Sequence, residues 1–233
     1  MHLSVIIPTL SRPQTALFLA ARICELLPTL EIEVIVVQPA GLPKPADSAT
    51  VRFISDMRRG VYMAYRAGVE HATGEYCWFM GDDDYPLDAA AQLSAALLAA
   101  QADLLVAPVI FSSGRIYRPT QSRLILHFLN WCQQGVIYRR KALARHRFFR
   151  RLSVQADQYV NLLLRADPTV RTEFLSEPIC VFGVGGVSGR QRDTGYGSLR
   201  MALARRTLSG GSFLLFRALL LAEPMVKRFV KIR

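Results

Sequence analysis

The chain has 233 residues, 51% hydrophobic and 20% charged, which excludes a disordered chain and leaves room for one large domain with a substantial core. A net charge of +11, supplied mostly by arginine, favours anionic partners such as nucleotides, nucleic acid or anionic lipid. The four cysteines, Cys24, Cys77, Cys132 and Cys180, lie far apart in apolar surroundings; this fits neither a zinc knuckle nor a disulfide framework, and reduced, buried thiols are expected. The opening residues enter a globular pattern directly, so no signal segment is expected.

Residues 3–7 form an apolar, β-branched run closed by Pro8, the pattern of a strand buried on both faces of a parallel sheet. A polar turn over 9–13 leads to Leu17, Ala20, Ala21 and Cys24 at helical spacing, and Pro28 ends that helix. Residues 32–37 make a second buried strand. A right-handed crossover then places both strands in one parallel sheet. After a Pro-, Gly- and Ala-rich loop over 39–49, residues 51–54 give a third strand. Small and apolar residues at spacings of three and four predict a helix over 60–72, capped by Gly74.

The run Tyr76-Cys77-Trp78-Phe79-Met80 reads as a buried strand that stops at Gly81 and three consecutive carboxylates, Asp82, Asp83 and Asp84. Three like charges in a row are costly unless water or a cation neutralises them. In an extended segment Asp82 and Asp84 share one side and Asp83 takes the other. Two hard oxygen ligands suit Mg²⁺ or Mn²⁺, which keep several waters and take up phosphate oxygens. The alternative is a solvated acidic turn, with Asp88 helping to cap the next helix. In doubly wound sheets ligands bind outside the carboxyl ends of the strands, so the ends after Ile7, Val37 and Met80 are expected to converge on one crevice.

Residues 88–98 predict an alanine- and leucine-rich helix, and 104–107 and 109–111 predict strands, whereas 115–129 carries no clear period. The basic run 139–151 reads as a solvated helix with its arginines outward. It lacks the aromatic interleaving that single-stranded nucleic acid requires, so no nucleic-acid partner is expected. From residue 199 the tail carries Arg200, Arg205, Arg206, Arg217, Lys227, Arg228, Lys231 and Arg233 against a single Glu223. Its apolar runs are too short to span a bilayer. Two readings stay open: a basic amphipathic segment lying in a membrane interface, or a helix packed on the domain with a basic rim.

Ser4-Val5-Ile6-Ile7-Pro8-Thr9, the strand Ile35-Val36-Val37, Ile54-Ser55 followed by Arg59-Gly60-Val61-Tyr62, then Gly68, Ala72-Thr73-Gly74-Glu75-Tyr76 and Phe79 through to Asp84 occur in an order that resembles family-2 glycosyltransferases. These are inverting enzymes of the GT-A fold, and the likeness is to bacterial ones that build exopolysaccharide or O-antigen units. The resemblance implies an α/β fold: a Rossmann-like, mostly parallel sheet flanked by helices, with a C-terminal amphipathic helical extension. It divides the chain into a catalytic domain over 1–197 and a basic tail over 198–233. The nucleotide-sugar half covers about 1–112 and the acceptor half about 113–197. It also implies Mn²⁺ or Mg²⁺ on Asp82 and Asp84, a nucleoside-diphosphate sugar held by Pro8, Thr9, Gln38, Arg59, Gly60, Asp82 and Asp83, and a glycan or polyprenyl-linked acceptor. A cytoplasmic protein, peripheral at the inner face of the plasma membrane, is the expected setting.

Under that resemblance Gln133 to Tyr138 enters the acceptor half, and Asp157 is the general base that takes the acceptor proton. By itself Asp157 fits a helix cap or first turn equally well; Glu173 and Glu177 are the fallback bases, though they read as strand-edge surface residues. The glycines over 182–189 resemble the end of the catalytic domain and let backbone amides approach an anion. The stretch 187–197 is either a loop over the donor, with Arg190 and Arg192 reaching its diphosphate, or a polar linker. The chain departs from the family pattern at Gln38, where relatives carry Asp, and over Arg58-Arg59-Gly60-Val61-Tyr62-Met63-Ala64, where two further carboxylates are missing. Arg58, Arg59 and Arg66 are candidates for phosphate contacts instead. The departures motivate a second reading, a catalytically inactive sugar-nucleotide-binding or membrane-associated scaffold.

Overall fold

The computed structural model describes residues 2–57, 60–99, 101–146, 152–183 and 193–231, the side chains of 224–231 excepted. Its strands are β1 (His2–Pro8), β2 (Glu31–Pro39), β3 (Val51–Asp56), β4 (Tyr76–Phe79), β5 (Tyr85–Pro86), β6 (Leu104–Val106), β7 (Val109–Phe111), β8 (Ile116–Tyr117), β9 (Val136–Arg139), β10 (Thr172–Phe174) and β11 (Cys180–Phe182). Its helices are α1 (Pro13–Leu26), α2 (Val61–His71), α3 (Gln92–Ala99), α4 (Arg123–Leu126), α5 (Arg140–Arg145), α6 (Ala156–Ala166), α7 (Tyr196–Thr207) and α8 (Gly210–Lys231).

A seven-stranded sheet runs in the order β10-β6-β9-β4-β1-β2-β3, and a four-stranded one in the order β5-β11-β7-β8. In the larger sheet only β9 is antiparallel to its neighbours, β4 and β6. The period of two along β1 explains why both faces are covered. Leu3, Val5 and Ile7 point into a core shared with Leu19 and Ile23 of α1, while Ile6 points into the opposite core with Tyr65 of α2. The sheet is therefore a rigid wall between two apolar layers, and its open carboxyl edge is where polar groups can gather.

Several local expectations change. Ala72, not Gly74, ends α2. Gly74 instead lies against β1, where a Cβ would come within 2.5 Å of Ser4 Oγ, and its N–H donates to that oxygen at 2.9 Å. Asp88 caps no helix: it opens a 3-10 turn (Asp88–Ala91) ahead of α3 and ion-pairs with Arg22 of α1. The strands around 104–111 divide between the two sheets, and 115–129 resolves into β8 and α4, the latter capped by Ser122 Oγ accepting from Ile125 N–H at 3.3 Å. Within the basic run, Arg139 ion-pairs with Glu75 at 3.2 Å and donates to the Tyr76 hydroxyl at 2.6 Å, and Arg140 donates to the Gly74 carbonyl at 2.7 Å. These two arginines tie β9 and α5 to the corner before β4 rather than face solvent; 147–151 lie outside the described residues.

The division at 197/198 falls inside α7, whose Tyr196 and Leu203 are part of the second core. Helix α8 is docked on the domain by one face. Phe216 is fully buried against His127 and Phe128, and Glu223 ion-pairs with Arg200 at 2.6 Å. The opposite face carries Leu214, Leu215 and Leu221, 65%, 51% and 85% exposed. Among the described residues no helix is long and apolar enough to cross a membrane.

Candidate active site

Strand order alone brings the carboxyl ends of β3, β2, β1 and β4 side by side. Just past β1, Thr9 N–H donates to Val37 O at 2.9 Å and its hydroxyl donates to Asp82 Oδ2 at 2.6 Å, stitching three strand ends together. Arg12, in the same loop, donates from Nε to Asp82 Oδ2 at 3.2 Å and ion-pairs with Oδ1. Asp82 thus has its charge balanced by Arg12 in a nearly buried position.

Residues 81–84 form a turn, Asp84 N–H donating to Gly81 O at 3.2 Å, so strand alternation does not apply to the carboxylates. Asp82 faces the β1 loop, whereas Asp83 and Asp84 close over Gly81. A Cβ on Gly81 would stand 2.6 Å from Asp83 Oδ1 and 3.0 Å from Asp84 Oδ2. Only glycine fits there, because the two carboxylates pack directly against it. Asp84 also accepts from Gly81 N–H and, at 3.0 Å, from Gly183 N–H just past β11. Burial pushes the Asp84 carboxyl up to about 7, and the Asp83 charge adds to this; the two glycine N–H groups and the Gln134 side chain only partly offset it.

On the far side, Asp157 lies in the first turn of α6, 9% exposed. Its Oδ2 accepts from Asn130 Nδ2 at 2.7 Å and its Oδ1 from Gln158 N–H at 2.7 Å, and the Tyr62 hydroxyl bonds to it as well. Asn130 in turn accepts from Asn161 Nδ2 at 3.0 Å, and Asn161 Oδ1 accepts from the Tyr138 hydroxyl at 2.7 Å. Burial raises the Asp157 carboxyl to about 6, against these hydrogen bonds. The Tyr65 hydroxyl and the Cys132 thiol both feel the charges of Asp84 and Asp157, so the two buried acids share these neighbours. An aromatic layer lies beside them: Tyr65 meets Phe79 edge-on at 4.8 Å, and Phe79 meets Tyr138 at 5.6 Å.

Pro8 ends β1 beside Val37, and Gly60 starts α2 with φ 93°, a conformation glycine adopts without strain. Gln38 is 1% exposed and donates from its amide to the carbonyls of Leu42 and Pro43 at 3.2 and 3.1 Å. Arg66 ion-pairs with Glu70 on its own helix at 2.9 Å. Arg58, Arg59, Arg190 and Arg192 lie outside the described residues. Glu173, on the edge strand β10, and Glu177 are both exposed. Arg12, Tyr65, Asn130 and Gln134 escape a sequence reading because their partners lie far away in the chain.

Among the described residues no three acidic, histidine or cysteine side chains form a metal-holding group. A hard divalent ion of the Mg²⁺ or Mn²⁺ kind does not need one, since it takes one or two carboxylates and fills its shell with water and phosphate oxygens. The neighbouring carboxylates of Asp83 and Asp84, the latter buried and with no counter-cation bonded to it among the described residues, are donors of the kind such an ion takes.

A mostly parallel sheet with an acidic turn at its carboxyl edge and a small second sheet beside it match the GT-A architecture of glycosyltransferases. The chain belongs to glycosyl transferase family 2, whose model matches residues 4–162. Among curated proteins nothing matches the chain. Among solved structures it is similar to residues 1–349 of S. aureus TarS in complex with UDP-GlcNAc, at 18% identity and a TM-score of 0.68, covering 96% of this chain and 72% of that one. The longer TarS structure is matched over 43% of its length at 19% identity and a TM-score of 0.66, with 96% of this chain covered. A mannosyltransferase from Pyrobaculum calidifontis in complex with GDP-Man and Mn²⁺ is matched at 18% identity and a TM-score of 0.54, covering 87% of this chain and 61% of that one.

Proposed function

We propose that this protein is an inverting, metal-dependent hexosyltransferase that moves a sugar from a nucleoside-diphosphate sugar to a glycan or lipid-linked acceptor in cell-surface polysaccharide biosynthesis. The observation that carries this reading is the pair of buried carboxyls, Asp84 and Asp157, both raised above the ordinary range and both close to Tyr65 and Cys132. Buried acids perturbed in this way are candidates for a functional site. Asp157 takes the proton of the acceptor hydroxyl as its oxygen bonds to the anomeric carbon, while the bond from that carbon to the diphosphate oxygen breaks on the opposite face. Asn130 and Tyr62 hold the carboxylate in place for that transfer.

Asp84 would hold Mn²⁺ or Mg²⁺, with Asp83 and Asp82 close by. Bound there, the ion would stabilise the charge that develops on the departing diphosphate. Asp82, tied to Thr9 and Arg12, fixes the strand ends beneath that group. Pro8, Thr9, Gln38 and Gly60 are assigned to the nucleoside side of the same edge, and Arg59 is assigned to it from the sequence alone. A nucleotide sugar in the presence of Mn²⁺ is expected to raise the melting temperature; a bound excess of about 100 times Kd supplies about 2.7 kcal/mol, worth several degrees in a chain of this size. No shift with any uridine, guanosine or deoxythymidine diphosphate sugar would overturn the assignment. Binding without transfer would favour the inactive scaffold that Gln38 and Met63 motivate.

Membrane association at the cytoplasmic face fits α8. Its inner face is committed to the domain, yet its outer face is leucine, next to the exposed Arg217 and followed in sequence by Lys227, Arg228 and Lys231. An anionic bilayer matches both the apolar stripe and the charge, whereas a second copy would bring like charge. Leu214→Glu with Leu221→Glu is expected to release the protein from phosphatidylglycerol vesicles at unchanged melting temperature. Vesicle binding equal to that of the unsubstituted chain, or a vesicle-independent dimer lost on substitution, would refute the membrane reading.

A further inference from the structure

Asp193 stands near neither buried acid in sequence, yet it organises the backbone that leads into α6. One carboxylate collects three successive amides: Ser153 N–H on Oδ1 at 2.6 Å, and Val154 and Gln155 N–H on Oδ2 at 2.9 and 2.8 Å. The contact is reciprocal, since Asp193 N–H donates to Gln155 Oε1 at 2.8 Å. Gln155 is the residue at which α6 begins, and its side chain does not cap the helix; the amides in front of α6 are satisfied from outside the segment. The Tyr62 hydroxyl reaches the same stretch from the other side: it stands 3.1 Å from Val154 O as well as within reach of Asp157, with one proton to give to either. Asp157 follows two residues after Gln155, so the position of its carboxylate is set by how firmly residues 153–155 are anchored.

We infer that Asp193 is a positioning residue for the acceptor side of the site: its carboxylate fixes the start of α6 and thereby the aim of Asp157, a role which rests on the reading of Asp157 as the general base. The charge suits the task, because an ionised acceptor binds several N–H groups more strongly than a neutral one and favours a helix N-terminus. Misplacing a catalytic group by about an ångström can cost on the order of 100-fold in rate while leaving binding elsewhere intact.

The test compares Asp193→Ala, Asp193→Asn and Asp157→Asn, alone and combined, in full-length protein supplied with Mn²⁺, nucleotide sugar and acceptor. Asp193→Ala is expected to lower kcat by about 10- to 100-fold, with the donor KM and the melting shift produced by nucleotide sugar unchanged. Asp193→Asn should recover part of the loss, since its single carbonyl oxygen replaces part of the clamp. In the Asp157→Asn background Asp193→Ala should cause no further loss, because the two act in series. If Asp193→Ala does not fold, Asp193→Asn and Gln155→Ala carry the same comparison. Wild-type kcat in the Asp193 variants alongside an inactive Asp157→Asn would overturn this inference alone. A further loss of equal size in the Asp157→Asn background would also overturn it, by placing the effect elsewhere. An active Asp157→Asn would remove the base reading first and this inference with it.

Discussion

Replacing Asp84 with asparagine is expected to lower sugar transfer by ~1,000-fold or more and to abolish Mn²⁺-dependent stabilisation by the donor. A metal clamp on a departing diphosphate is worth several kcal/mol, and each ~1.4 kcal/mol is a factor of ten in rate. Asparagine keeps the shape but only one acceptor oxygen, so it serves either the Gly81 or the Gly183 N–H and turns its NH2 toward the other; the melting temperature without ligand checks that the turn persists. Asparagine cannot supply the hard anionic oxygen that the ion requires. The measurement is donor-induced melting with and without Mn²⁺, beside initial rates of transfer. Undiminished metal-dependent stabilisation in Asp84→Asn would place the ion elsewhere. Asp83→Asn and Asp82→Asn, compared in the same way, would show which neighbour shares the ion; the packing of Asp83 beside Asp84 on Gly81 favours Asp83, and the Arg12 ion pair makes Asp82 the weaker ligand.

The second large effect belongs to Asp157. Asp157→Asn is expected to reduce kcat by ~100- to 10,000-fold, the range that a positioned general base supplies, without changing donor affinity. The pH dependence follows from its raised carboxyl, about 6. A base works only when ionised, so kcat should fall as pH drops through about 6, and this acid limb should vanish in the variant. Stability runs the other way. The folded state holds the Asp157 proton more tightly than the unfolded chain does, so this group's contribution is full below the unfolded value of about 3.9 and is lost as pH rises through about 6. At pH 7.5 the ionised carboxylate is therefore a cost that Asp157→Asn removes, while its single oxygen can accept from only one of Asn130 Nδ2 and Gln158 N–H; the two effects oppose each other, and the melting temperature should change little. A rate loss accompanied by a lower melting temperature would mark Asp157 as a structural helix residue instead.

The two acids differ in how much of their setting could be read in advance. The acidic turn was legible because it breaks a pattern: an apolar strand that ends in glycine and three carboxylates concentrates charge that water or a cation must offset. Which of those carboxylates face each other was not, since that depends on the chain turning at Gly81 rather than staying extended. Asp157 stood as one acid among several possible helix starts, and only burial against Asn130, Tyr62 and the aromatic layer separates it from an ordinary first-turn aspartate. Arg12 and Asp193 gave no signal, because their partners lie about 70 and 40 positions away and no local period records such a pairing.

By itself the sequence determined the parallel α/β core, since residues that must be buried on both faces of a strand, or on one stripe of a helix, leave a period that survives in one dimension. The order of its motifs also identified the family. Only the tertiary structure decided which charges meet across the sheet edge, which arginines are consumed in holding corners, and that α8 docks by Phe216 while turning its leucines outward. Those outcomes depend on distances between residues far apart in the chain, which are set by packing and not by local periodicity.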